Sequence, residues 1–110
     1  MALADQKCVP CRGGVPPLAP DVARKLGQET PDWDIVGVHH IRRQFVFPDF
    51  ATALAFVNHV GAIAEQQGHH PDIYLAWGKV EIKIWTHKID GLTESDFVLA
   101  AKIDREFPQK

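Results

Sequence analysis

Apolar and polar residues along this chain recur with two periods, and the switches between them mark out the elements. Pro20-Asp21 opens a short helix through Val22 and Leu26 that ends near Gly27 and stops at Pro31. From Trp33 to Phe47 the residues favour strand, with Ile35, Val36, Val38, Ile41, Phe45, Val46 and Phe47 supplying the apolar positions. Ile41, Phe45 and Phe47 share one face of it, Arg42 and Gln44 the other. Pro48-Asp49 then begins the longest helix, over 49–67, with Asp49 as its N-cap. Phe50, Leu54, Val57, Gly61 and Ala64 recur at helical spacing along it. A second row, Phe56, Val60 and Ile63, makes the apolar face wider than packing on one sheet requires, which predicts a subunit interface.

Gly68 stands where a helix ends on a left-handed residue. Two strands follow, over 72–77 and 79–87, around a tight turn at Trp77-Gly78-Lys79. In the second, Val80, Ile82, Ile84 and Thr86 face one way, and Glu81, Lys83, Trp85 and His87 the other. A last helix begins near Thr93 and turns Phe97, Ala100, Ala101 and Ile103 inward. The order α-β-α-β-β-α predicts an α+β fold, an antiparallel four-strand-type sheet with helices packed on one face. Residues 1–17, rich in Pro, Gly and Cys, read as an irregular N-terminal arm, and 18–110 as one domain.

Composition narrows the function by exclusion. A net charge of −2 over 110 residues offers no clustered basic face for nucleic acid. No apolar run reaches membrane-spanning length and the first residues lack a signal-peptide pattern, so a cytoplasmic protein is expected. Cys8-Val-Pro-Cys11 has the spacing of half a zinc site or a redox pair. No second ligand pair of that spacing follows, and Gly13-Gly14 and Pro16-Pro17 replace the helix that a thioredoxin-like motif needs. The pair is expected to be unmetallated, in a mobile arm, and dispensable for folding.

Candidate chemistry is concentrated in Glu65-Gln-Gln-Gly-His69-His70-Pro71, with Trp77, His87 and Asp96 beyond it. Three of the chain's six histidines fall in this stretch, and imidazole exchanges protons near neutral pH. Pro71 biases His70 towards an extended backbone, so the adjacent imidazoles of His69 and His70 are expected to diverge. Antiparallel pairing can return His87 to the 69–71 corner. Each member also has a plain structural reading. His69 suits a helix C-terminus. Asp96 completes a capping box in Thr93-Glu94-Ser95-Asp96, and Trp77 and Trp85 are ordinary strand aromatics. His39, His40 and His59 read as structural, because nothing in the sequence groups them with the others.

Taken together the spacing is specific. Glu-x3-His-His-Pro-x5-Trp-x9-His-x8-Asp, from Glu65 to Asp96, resembles the signature of the pterin-4a-carbinolamine dehydratases, known in animals also as dimerisation cofactors of a homeodomain transcription factor. The resemblance extends over about residues 20–107, including Phe45-Val-Phe47-Pro-Asp49-Phe50, and the Cys-x-x-Cys arm is similar to that of many bacterial and plant members. It implies removal of water from 4a-hydroxytetrahydropterin, giving quinonoid dihydropterin, in tetrahydrobiopterin recycling. It implies His69, His70 and His87 as catalytic and pterin-binding groups, with Glu65 and Asp96 as the signature carboxylates and Thr86 at a position that contacts the pterin ring. Gly68 and Trp85 depart from animal members, where those positions are often acidic and small.

The residue types suit such a reaction on their own account. Loss of hydroxide from C4a needs a proton on the leaving oxygen and a base for a ring nitrogen, and imidazoles can serve as both. No electrons move, so no redox cofactor is expected. Trp77 or Trp85 would supply a wall for the flat ring. Three histidines and a carboxylate would also suit zinc or iron, but adjacent histidines in extended chain chelate poorly, and no metal is expected. The resemblance further implies a homotetramer, a dimer of dimers with helices 49–67 at its centre, and an aromatic amino acid hydroxylase as functional partner. The alternative is a non-catalytic scaffold or assembly partner of the same fold. Relatives reduced to scaffolds lose catalytic histidines, and this chain keeps all three.

Overall fold

In the computed structural model, which describes residues 3–6, 8 and 16–107, the chain forms three helices and four strands. The helices are α1 (Pro20–Gly27), α2 (Phe50–Gln67) and α3 (Glu94–Glu106). The strands are β1 (Asp34–Val36), β2 (His40–Val46), β3 (Asp72–Ala76) and β4 (Lys79–Ile84). All pairings are antiparallel and the order across the sheet is β1-β2-β4-β3. The fold is α+β, with the sheet expected from the sequence.

The strand expected over Trp33–Phe47 is a hairpin, so the order becomes α-β-β-α-β-β-α. Gly37 and Val38 both take positive φ, 57° and 53°, and the His39 amide donates to the Val36 carbonyl at 2.9 Å. Two consecutive left-handed residues make the tight reversal that matches strand twist. The signal is hidden because β-branched Val38, a strand former, occupies a position that usually falls to Gly, Asn or Asp.

Register places Ile41 opposite Ile84 and Phe45 opposite Val80 on β2 and β4, with Ile73 opposite Ile82 on β3 and β4. Ile41, Phe45, Val80, Ile82 and Ile84 are fully buried, and with Phe97, Ala100 and Ile103 of α3 they form the core. The α2 residues in that core are Ala53, Phe56 and Val60. This reverses the expected roles of the two apolar rows. Phe56 packs on Phe45, Phe47 and Phe107 with ring centroids 4.8, 5.2 and 5.8 Å away, whereas Phe50 and Leu54 lie 44 % and 40 % exposed. Periodicity shows that two rows exist and cannot say which one meets the sheet.

Polar contacts cap α2 and tie the elements together. The Asp49 side chain accepts the Thr52 amide at 2.8 Å and caps α2. Asp104 of α3 accepts from Trp33 Nε1 at 2.9 Å and from Arg43 at 2.6 Å, and the Arg43 guanidinium covers the Phe45 ring at 4.4 Å. The described part of the arm packs on α3: Leu3 and Ala4 are buried, Lys102 donates to the Ala4 carbonyl, and Arg105 pairs with Asp5 at 2.7 Å. Cys11 and the rest of residues 9–15 lie outside the described residues.

Candidate active site

The site is built where α2 ends, β4 ends and α3 begins. Gly68 is left-handed (φ 63°), its amide donates to the Glu65 carbonyl and the His69 amide reaches back to the Ala64 carbonyl at 3.1 Å. These are the two bonds of a Schellman ending, which turns the chain sharply at the residue before His69. The next two imidazoles diverge, as the sequence predicts. His69 Nε2 lies 2.6 Å from Asp96 Oδ1, and His70 Nε2 lies 2.5 Å from Glu65 Oε2.

Asp96 is fully buried and both its oxygens are occupied. Oδ1 takes His69; Oδ2 accepts the Thr93 amide at 2.8 Å and the Thr86 hydroxyl at 3.0 Å. Thr86 and Thr93 hydroxyls are also 3.0 Å apart. One carboxylate thus completes the capping box of α3 and holds His69. Because a carboxylate only accepts, His69 donates its Nε2–H and keeps Nδ1 for another partner. Burial makes each of these charge-assisted bonds worth more than at the surface. The His70–Glu65 pair is open, with side chains 59 % and 80 % exposed, and is worth little to stability.

His87 stands differently. The strand expected to run to His87 ends at Ile84; Thr86 continues as an isolated bridge to Gly91, and His87–Ile89 is a single 3-10 turn. The His87 ring packs at the edge of Trp85, centroids 4.4 Å apart at 70°. Among the described residues it makes no hydrogen bond to His69 or His70. The link between them runs through Thr86, the neighbour of His87, to Asp96 and so to His69.

One expected contributor falls elsewhere, and two histidines arrive unannounced. Trp77 occupies the β3–β4 turn, 72 % exposed. His39 and His40, read as structural, sit against Trp85 with ring centroids 5.4 and 5.9 Å away. Their Nδ1 atoms are 3.1 Å apart, and His39 Nε2 is 2.7 Å from Asp90. Burial, followed by the nearby His39, Lys83 and Arg42, holds the His40 imidazole below its ordinary pKa. The signal missed in the sequence is the register: His40 begins a strand that pairs with the one leading to Trp85.

Cys8 also approaches the site. Its amide donates to Gln67 Oε1 at 3.0 Å and its thiol to the Ser95 carbonyl at 3.6 Å, flanking His69 and Asp96 in sequence. Burial pushes the thiol up to about 11, so it stays protonated at neutral pH. An open groove between α1 and β1, lined by Arg24, Gln28, Pro31, Trp33 and Ile35, shares no residue with these groups.

Comparison with known proteins fits this geometry. A protein of Rubrobacter xylanophilus, provisionally named a pterin-4-alpha-carbinolamine dehydratase, is 58 % identical over 103 residues, covering 94 % of this chain and 96 % of its own. A similarly named protein of Alkaliphilus metalliredigens is 50 % identical over 105 residues, 94 % of this chain and 95 % of its own. The crystal structure of a transcriptional coactivator/pterin dehydratase from Brucella melitensis superposes with a TM-score of 0.79 at 30 % identity, covering 84 % of this chain and 99 % of its own. A pterin dehydratase-like RuBisCO assembly factor of the alpha-carboxysome shares the fold at a TM-score of 0.62 and 23 % identity, over 72 % of this chain and 93 % of its own. Residues 16–106 match the sequence profile of the pterin 4 alpha carbinolamine dehydratases, and the chain belongs to that family.

Proposed function

We propose that this protein dehydrates 4a-hydroxytetrahydropterin to quinonoid dihydropterin. The observation that supports this most is the Asp96 carboxylate, which joins His69 to Thr86 and so draws the His69–His70 corner towards the end of β4, where His87 follows. In this reading one imidazolium delivers a proton to the departing C4a oxygen as the C–O bond breaks, and a neutral imidazole takes the proton from a ring nitrogen. Water is the only other product and no electrons are exchanged. His70 and His87 carry the proton transfers, each worth roughly 10²–10⁴-fold. His69, fixed by Asp96, contributes mainly to holding the pterin. Thr86 and Glu65 act in binding by position, Asp96 by orienting His69. Trp77 is the least supported of the expected binding groups, given its exposure on the turn.

The same reading makes the protein a homotetramer, a dimer of dimers meeting through α2. Support comes from the outward pair Phe50 and Leu54, exposed apolar side chains one turn apart. Among the described residues no helix is long and apolar enough to cross a membrane, and we assign the protein to the cytoplasm beside a pterin-dependent hydroxylase. The assembly-factor neighbour keeps a scaffold reading in view, supported by fold alone. The test is direct: add the protein to freshly generated 4a-hydroxytetrahydropterin and follow quinonoid dihydropterin by absorbance. Acceleration over the uncatalysed rate supports the enzyme; an unchanged rate from folded protein favours the scaffold.

A further inference from the structure

We propose that Trp85 is the positioning residue for His87, braced from behind by His39 and His40. The inference rests on the dehydratase reading for its kinetic consequence and on geometry for its origin.

Each of the three site histidines needs its ring held, and the three are held differently. His69 is fixed by a buried carboxylate and His70 by an exposed one. His87 has neither. It lies beyond the end of β4, in a 3-10 turn, and among the described residues neither ring nitrogen has a hydrogen-bond partner. Both nitrogens are thus open to a ligand, and no described residue fixes the tautomer, which suits a group that must act as acid and base in turn. The remaining constraint on the ring is its edge-to-face contact with Trp85 at 4.4 Å, a geometry that aromatic rings prefer.

Trp85 is itself held. His39 and His40 pack on the indole from the β1–β2 turn and the first residue of β2. A hydrogen-bonded chain sets their orientation. Asp90 accepts from His39 Nε2–H, which leaves His39 Nδ1 as the acceptor for His40 Nδ1–H. Asp90 belongs to the turn that carries His87, so the chain closes a ring of contacts from that turn, across the hairpin, to Trp85 and back. The charged groups around the ring are Asp90 on the turn, Arg42 on β2 and Lys83 on β4.

The experiment compares Trp85→Phe with Trp85→Leu, which keeps an apolar side chain but removes the aromatic face. Thermal unfolding and circular dichroism establish that each variant is folded. Trp85→Leu is expected to lose roughly tenfold in kcat with KM little changed, since misplacing a reacting group costs rate rather than affinity. Trp85→Phe should recover most of that loss. The NMR titration of the His87 ring should depart from wild type in Trp85→Leu and return in Trp85→Phe, a readout independent of turnover. Folded Trp85→Leu with wild-type kcat and an unshifted His87 titration would overturn the proposal. An inactive wild type would overturn the dehydratase reading instead, and the His87 titration would then decide the positioning contact alone.

Discussion

His69 Nε2 and Asp96 Oδ1 lie 2.6 Å apart, and the same carboxylate caps helix α3 through the Thr93 amide. The His69 imidazole and the start of α3 are therefore one structural unit. Asp96→Ala should remove a cap worth about 1 kcal/mol and leave the His69 Nε2–H without its acceptor, at about 1–3 kcal/mol more, while Thr86 keeps the Thr93 hydroxyl. Chemical denaturation should show a total loss of roughly 2–4 kcal/mol at neutral pH. Thr86→Val should cost less, because it removes one donor while the cap stays. Equal effects from the two would contradict the shared role of the carboxylate.

Acid should destabilise the fold through His40. Its folded pKa is held below the ordinary value near 6.5, by burial first and then by His39, Lys83 and Arg42. The unfolded chain takes up a proton as pH falls through about 6.5 while folded His40 resists it, so stability is present above that pH and is lost towards the folded pKa. Urea midpoints measured between pH 7.5 and pH 5 should decline less steeply in His40→Gln than in the wild type. A parallel decline in both would remove His40 from the account.

The Cys8 thiol should be slow to react. A rise from 9.0 to about 11 lowers the thiolate fraction near pH 8 by roughly 100-fold. Alkylation resolved by peptide mass spectrometry should label Cys8 slowly in native protein and rapidly in denaturant. Gln67→Ala, which removes the acceptor of the Cys8 amide, should speed native labelling.

Surface charge on α2 separates assembly from folding. Phe50→Asp with Leu54→Asp should dissociate the proposed oligomer, read by light scattering, and leave circular dichroism unchanged, because both side chains are exposed in the single chain. Phe56→Ala should instead cost about 3–5 kcal/mol of stability, as a buried aromatic removed from the core. A wild type that is monomeric at micromolar concentration would contradict the assembly.

Much of this architecture is legible in the sequence because local chemistry dictates it. Gly68 ends α2, Thr93 and Asp96 cap α3, and the alternation Val80, Ile82, Ile84, Thr86 sets which face of β4 is buried. What is not legible depends on contacts distant in sequence. Nothing local tells Phe56 from Leu54 as the residue that meets the sheet. The hairpin at Gly37 is masked by Val38, whose side chain argues for strand. His39 and His40 acquire their setting only when β2 pairs with β4, which brings them to Trp85. In the same way the arm reads as irregular by composition, whereas Cys8 is placed beside Gln67 and Ser95 by the meeting of α2 with α3.

The central claim is that histidine acid–base chemistry on a pterin is what this site does. The measurement that tests it most directly is the rate of quinonoid dihydropterin formation from 4a-hydroxytetrahydropterin by wild type, His69→Ala, His70→Ala, His87→Ala and the His70→Ala, His87→Ala double variant, each with and without a metal chelator. The account predicts a loss of roughly 10²-fold or more in kcat for His70→Ala and for His87→Ala, a change chiefly in KM for His69→Ala, and no response to the chelator. Full activity in the folded double variant, or activity that disappears with the chelator, would contradict it.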